Sequence, residues 1–255
     1  MELSNREKAA AIQNSIETET LGQIGLINPK SYKQHNINVA DGFDAIMALH
    51  DLMPMEKVYT NVVRAFQDGD IGFVHVDYYL FEPTVAFDIH RFENGVSVEH
   101  WDNLQTNPKK VNKSGRTMTD GKTKAIDHHL TDANKELASS FVSEVLVGKK
   151  FNEASKYFHG DILIQHNPDM GDGVSEFFSV LKQWENNGKT QVYTAVHKVL
   201  GEGNFVLVLS EGYVGKTHSA FYDLYRIENN KIIEHWDVIE EIPSLENQKN
   251  INGKF

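Results

Sequence analysis

The 255-residue sequence contains no cysteine. That absence excludes disulfide scaffolds, thiolate catalysis, iron-sulfur clusters and cysteine-bearing zinc sites together. Long hydrophobic runs are missing too. No wholly apolar stretch is longer than Phe205 to Leu209, far below the ~18 residues a membrane-spanning helix needs. The opening residues Met1 to Glu7 lack a basic segment followed by an apolar one, so no secretory signal is read there and a soluble, cytoplasmic protein is expected. Positive charge is in short supply, with 25 Lys and Arg against 36 Asp and Glu and a formal net charge of -11. A field of that sign repels phosphate backbones and anionic lipid, so neither nucleic acid nor a membrane surface is expected as a partner. No dinucleotide or Walker glycine loop, no His-Glu-x-x-His and no Gly-x-Ser-x-Gly elbow occurs. His128 and His129 are adjacent rather than one helical turn apart, and no metal is expected from them.

What the sequence does contain is a copy of itself. Asp88 to Asp102 lies over Asp223 to Asp237 at a shift of 135, with eight of the fifteen positions identical. Gln34-His35-Asn36 with Asp41-Gly42 lies over Gln165-His166-Asn167 with Asp172-Gly173, and Asp68-Gly69-Asp70 over Glu202-Gly203-Asn204. Colinear blocks with nearly equal shifts mean a duplicated domain with small loop insertions, a unit too long for a solenoid repeat. The polar stretch from Asn107-Pro108 to Asp120-Gly121 reads as a linker. The expected division is a first domain over 1–110, a linker over 111–130, and a second domain over 131–255 that includes the tail.

Within each unit helices come first and strands later. Apolar spacings of three and four predict helices over Asn5 to Thr20, Asp132 to Tyr157 and Gly173 to Leu181. Strands are predicted over Gln191 to Leu200, Asn204 to Tyr213, Ser219 to Ile227 and Ile232 to Ile239, with tight turns at Gly201 to Asn204 and at Glu228 to Lys231. Helices followed by an antiparallel meander make an α+β fold and argue against alternating βαβ units.

Chemistry is expected on the last strand. Alternation puts Ile233, His235, Asp237 and Ile239 on one face. Counting back from an Asn229-Asn230 turn places Leu224 opposite His235 and Tyr222 opposite Asp237. In the first unit the same count sets Ile89 opposite His100 and Phe87 opposite Asp102, without a phenol. An Asp in an apolar concavity has its pKa raised toward the range of a general base, and a His or Tyr beside it can donate to a developing enolate. The competing reading makes Asp237 a structural salt-bridge or cap residue and His235 a satisfied core residue. His166, before a turn that Pro168 favours, either binds substrate or ties that turn. His197 aligns with Val63 and His75 with Leu209, so the two interiors have diverged. Trp101 and Trp236 read as packing anchors.

The residues Gln165-His166-Asn167-Pro168, Gly203 to Val208, Ala220 to Arg226 and Lys231 to Val238 resemble the SnoaL-like polyketide-cyclase branch of the nuclear-transport-factor-2-like superfamily. The second unit resembles it nearly throughout, the first more loosely through Gln34-His35-Asn36, Phe87-Asp88 and Glu99 to Asp102. The resemblance implies two tandem cone-shaped domains, each a curved antiparallel sheet wrapped by N-terminal helices around an apolar pocket. It further implies that the two domains pair as an intrachain pseudo-dimer; whether the whole chain self-associates is left open. Without cofactor or metal, such a protein would act as a lyase or isomerase on a small carbonyl or polyketide-like compound. Asp237, His235, Tyr222 and His166 would be catalytic, and His197, Leu224, Ile233, Asp102, His100 and His35 would contact substrate. The alternative is a non-catalytic module that binds a small apolar ligand.

Overall fold

The computed structural model describes residues 2–255 except 21 and 23. The chain is α+β and divides into two compact units. Unit 1 comprises Met1–Asn107 together with Ile242–Phe255, and unit 2 comprises Pro108–Glu241. Among the described residues no helix is long and apolar enough to cross a membrane.

Unit 1 runs α1 (Asn5–Glu17), β1 (Lys33–Gln34), α2 (Phe43–His50), then the meander β2 (Tyr59–Asp68), β3 (Ile71–Tyr79), β4 (Pro83–Glu93) and β5 (Val96–Thr106). Unit 2 repeats the plan. Its helices α3 (Thr131–Phe141) and α4 (Val174–Asn186) flank β6 (Ile164–Gln165), and β7 (Gln191–Glu202), β8 (Phe205–Val214), β9 (Thr217–Glu228) and β10 (Lys231–Glu241) follow. The two sheets have the matching orders β1-β5-β4-β3-β2 and β6-β10-β9-β8-β7. Each is mixed rather than purely antiparallel, because β1 and β6 add a two-residue parallel strand beside the last strand. The predicted helix over Asp132 to Tyr157 breaks up: α3 passes into a π-helical turn over Val142–Val147, and a 3-10 helix follows over Phe151–Lys156.

Local chemistry explains the hairpins. Asn94-Gly95 and Asn229-Asn230 both place two successive residues at positive φ, the geometry of a two-residue turn whose twist matches that of the strands it joins. Glycine is required at position 72, where a Cβ would lie 2.3 Å from the Asn5 carbonyl oxygen; its absence lets the start of α1 press onto β3. The unit 1 core gathers Ala9 and Ile12 of α1 with Val74, Val76, Tyr78 and Ala86 of the sheet. In unit 2, Phe141, Val142, Leu163, Phe177 and Val180 cover Val206, Val208, Phe221 and Tyr225, each large side chain contributing about 1.5–3 kcal/mol by leaving water.

The domain boundaries expected from composition need correction. The start of the predicted linker packs onto unit 2, where Asn112 donates to the carbonyls of Gln165 and Asn167 (2.7 and 3.3 Å) and Arg116 forks onto Asp172. The tail assigned to the second domain belongs to unit 1, where Asn250 donates to the carbonyls of Asn36 and Val39 (2.7 and 2.8 Å). Polar composition reads as linker, yet these asparagines are buried because the strand-end carbonyls beneath them need donors.

Candidate functional site

The register of β9 and β10 decides the site. Lys231 and Ile232 face Glu228 and Ile227, but the next pair is Glu234 with Arg226, so Ile233 is the extra residue of a β-bulge. From there on His235 faces Tyr225, Trp236 faces Leu224, Asp237 faces Asp223 and Val238 faces Tyr222. The count that set Tyr222 and Leu224 against Asp237 and His235 is therefore off by one residue, which for a period of two moves both to the opposite face. Unit 1 carries the same bulge at Val98. There Asp88 faces Asp102, His90 faces His100, and Ile89 and Phe87 face Trp101 and Asn103.

The bulge assembles a buried Asp-His-Asp network in unit 2. His235 Nε2 lies 2.9 Å from Asp223 Oδ1, and its Nδ1 meets the Gln165 amide at 3.0–3.1 Å. Gln165 is itself held by the backbone N–H groups of His166 and Asn167, both donating to its Oε1. Asn167 Nδ2 donates to Asp237 Oδ2 at 2.7 Å. The Tyr193 hydroxyl donates to Asp223 Oδ1 at 3.3 Å, and the Tyr225 ring stacks on His235 at 4.9 Å. Asp237 Oδ1, Asp223 Oδ2, the Tyr225 hydroxyl and Ser210 Oγ are buried on this face without a hydrogen-bond partner among the described residues. Burial pushes the Asp237 carboxyl up and Asp223 adds to the rise, against the opposing pull of His235 and Asn167. Burial and the neighbouring carboxylates likewise raise Tyr193 and Tyr225 well above the usual phenol range.

Asp223, His235 and Asp237 offer atoms within 4.8 Å of one another, as do Asp88, His100 and Asp102. That closeness would suit a cation as well as the hydrogen bond between His235 Nε2 and Asp223 Oδ1.

Several expected site residues lie elsewhere. His166 is on the other side of β10, stacked on Trp236 at 4.5 Å, with Nε2 at 2.9 Å from Glu234 and Nδ1 at 2.9 Å from the Thr117 carbonyl. It ties the turn and does not meet Asp237. His35 repeats this in unit 1 against Trp101, Glu99 and the Gly253 carbonyl. His197 sits at the bulge of β7, exposed and paired with Glu211, which also holds His218. Ile233, as the bulged residue, is half-buried and outside the network.

His100 and Asp102 form the unit 1 counterpart. His100 reaches Gln34 Oε1 at 3.0 Å and Asp88 at 3.2 Å, and Asn36 donates to Asp102 at 2.6 Å. Two differences stand out. Gln13 of α1 enters this interior and binds the Tyr78 hydroxyl (2.6 Å) and His90 (2.9 Å). Buried Lys254, from the C-terminal segment, lies 3.7 Å from Asp102 Oδ1; burial raises the Asp102 carboxyl, and Lys254 is the largest opposing influence.

Unit 2 has an apolar cavity next to its network, of about 330 Å³, lined by Leu146, Phe151, Phe178, Leu181, Val192 and Tyr193 among others. Leu146 belongs to the π-helical turn, a feature frequent at functional sites. Tyr193 lines the cavity, and its hydroxyl reaches Asp223 of the network. Tyr193, Tyr225, Asp223 and Ser210 escaped sequence reasoning; the Asp88/Asp223 identity in the repeat was the available signal.

No protein-family model matches the chain, and no curated protein does. Among solved structures it is similar to a Kribbella flavida protein assigned provisionally as a ketosteroid isomerase (13% identity, TM-score 0.37, covering 45% of this chain and 83% of that one). It is also similar to an NTF2-like protein of unknown function from Cytophaga hutchinsonii (18%, 0.35, 47% and 95%). A third is an Acidithiobacillus ferrooxidans protein assigned provisionally as a polyketide cyclase (16%, 0.34, 42% and 87%). Each match spans less than half of this chain and most of the other.

Proposed function

We propose that unit 2 is a cofactor-independent isomerase or lyase that takes a small apolar carbonyl compound in its cavity and moves a proton at the carbon next to the carbonyl. The observation that carries this reading is the cavity's inner wall, Tyr193, bonded to an Asp-His-Asp network with an unpartnered carboxylate oxygen. Asp237 is the acid/base: a raised pKa lets one carboxyl both take a proton and return it. His235, fixed by Gln165 and bonded to Asp223, balances the charge that forms, and the Tyr193 hydroxyl, on a residue shared by cavity and network, is the donor for a developing enolate oxygen. A cytoplasmic setting belongs to the same proposal, resting on the cysteine-free sequence.

A carrier of apolar ligands is the second reading. It is favoured by one fact: Asp237 is buried and is not among the residues that line the cavity. Deuterium exchange into a panel of cyclic ketones and 1,3-diketones separates the two. The enzyme reading expects exchange by the full chain that Asp237→Asn removes with the fold intact; ligand binding without exchange gives the carrier.

A further inference from the structure

The cavity of unit 2 is apolar in its walls but not at its edge. Its lining includes Lys149, Lys182 and Glu185 besides the hydrophobic residues. Both lysines are exposed, and neither has an ion-pair or hydrogen-bond partner among the described residues. Three other lysines of unit 2 are paired, Lys113 with Glu176 and Lys150 and Lys156 with Glu144, whereas the side chains of Lys124, Lys189 and Lys216 also have no partner among the described residues; what sets Lys149 and Lys182 apart is that they line the cavity. Lys149 follows Gly148 directly after the π-helical turn and holds a left-handed backbone conformation, φ 54°, uncommon for a residue with a side chain. Lys182 and Glu185 lie three residues apart on α4 without pairing, so the rim keeps one surplus positive charge in a chain whose net charge is -11.

We infer that the ligand of this cavity is an amphipathic acid: an apolar body seated against Phe178, Leu181 and Val192, with a carboxylate at the rim facing Lys149 and Lys182. This rests on the proposed function and narrows its substrate class to carbonyl compounds that also carry an acidic group. The arrangement follows from unequal desolvation. A carboxylate left at a wet rim keeps most of its hydration while gaining two cations, whereas one pushed inward would be stripped of water beside Asp223 and repelled by it. Charge therefore orients the molecule as well as selecting it, with the uncharged end toward Tyr193.

The test uses an isosteric pair, 1-naphthoate and 1-naphthamide, titrated into the full chain by calorimetry at neutral pH. Naphthoate is expected to bind roughly two- to thirtyfold more tightly, the range that two exposed ion pairs supply. The preference should shrink with added salt in the wild-type chain, and Lys149→Met/Lys182→Met should erase it while leaving naphthamide binding in place. Equal binding of the two probes, a preference that survives the double substitution, or binding of neither overturns the inference. Asp237→Asn separates this from the underlying reading. A charge preference in a chain whose ketone exchange is indifferent to Asp237→Asn defeats the acid/base assignment and leaves the rim; exchange that depends on Asp237 without a charge preference defeats the rim and leaves the chemistry.

Discussion

Asp237 is half satisfied. Asn167 holds Oδ2 at 2.7 Å, while Oδ1 is buried with no donor. An ionised carboxylate with an empty oxygen in such a place is costly, so burial pushes its pKa up from the ordinary value. The consequence for stability has a definite sign. A carboxyl whose pKa is raised on folding contributes stability that is complete below its ordinary value of 3.8 and is lost as pH rises through the folded value. Asp237→Asn has no proton to lose. Denaturant midpoints of the two proteins should therefore converge at about pH 3 and diverge in favour of the variant toward neutral pH. A constant difference across that range would show an ordinary carboxyl. Glu234 behaves oppositely: burial pushes it up, but bonds from His166 and Arg226 hold it below the usual range. Glu234→Gln should accordingly destabilise most at neutral pH and progressively less as pH falls through 4.5, in the same midpoint series.

The elements most easily read from the sequence were those with strict periods. The helices at Asn5 and Val174 and the four strands of the second meander follow apolar spacing, and positive-φ turn residues punctuate them. The bulges at Ile233 and Val98 break the period without any signal in composition, since an extra Ile or Val looks like any other strand residue. That single residue made Tyr222 look like the phenol of the site when Tyr225 and Tyr193 are the ones there. The docked segments were hidden for another reason: their worth lies in asparagine side chains that meet carbonyls far away in sequence, which composition cannot report. Each asparagine donates two bonds to such carbonyls, and losing them should cost about 1–3 kcal/mol. Asn250→Ala is expected to raise amide hydrogen exchange around Ile37 and Val39 in unit 1, and Asn112→Ala around Gln165 and Asn167 in unit 2. Uniform loosening of both units by either change would contradict this picture.

Across the whole molecule one duplicated motif has come to two different ends. The repeat that was plain in the sequence copied Asp-His-Asp faithfully, together with its Gln and Asn supports. The surroundings diverged: Gln13 and Lys254 occupy the unit 1 interior, while unit 2 keeps an apolar cavity beside Tyr193. Activity should follow the cavity, so Asp237→Asn is expected to abolish most ketone exchange and Asp102→Asn to leave most of it. Equal losses would mean equivalent sites, and a larger loss from Asp102→Asn would place the chemistry in unit 1. The central claim, that Asp237 is a buried acid/base, is tested most directly by a carbon-13 NMR titration of its side-chain carboxyl in the intact chain, assigned with Asp237→Asn. The account predicts a midpoint clearly above 3.8 that moves when a ligand fills the cavity; a midpoint at or below that value, unmoved by ligand, would contradict it.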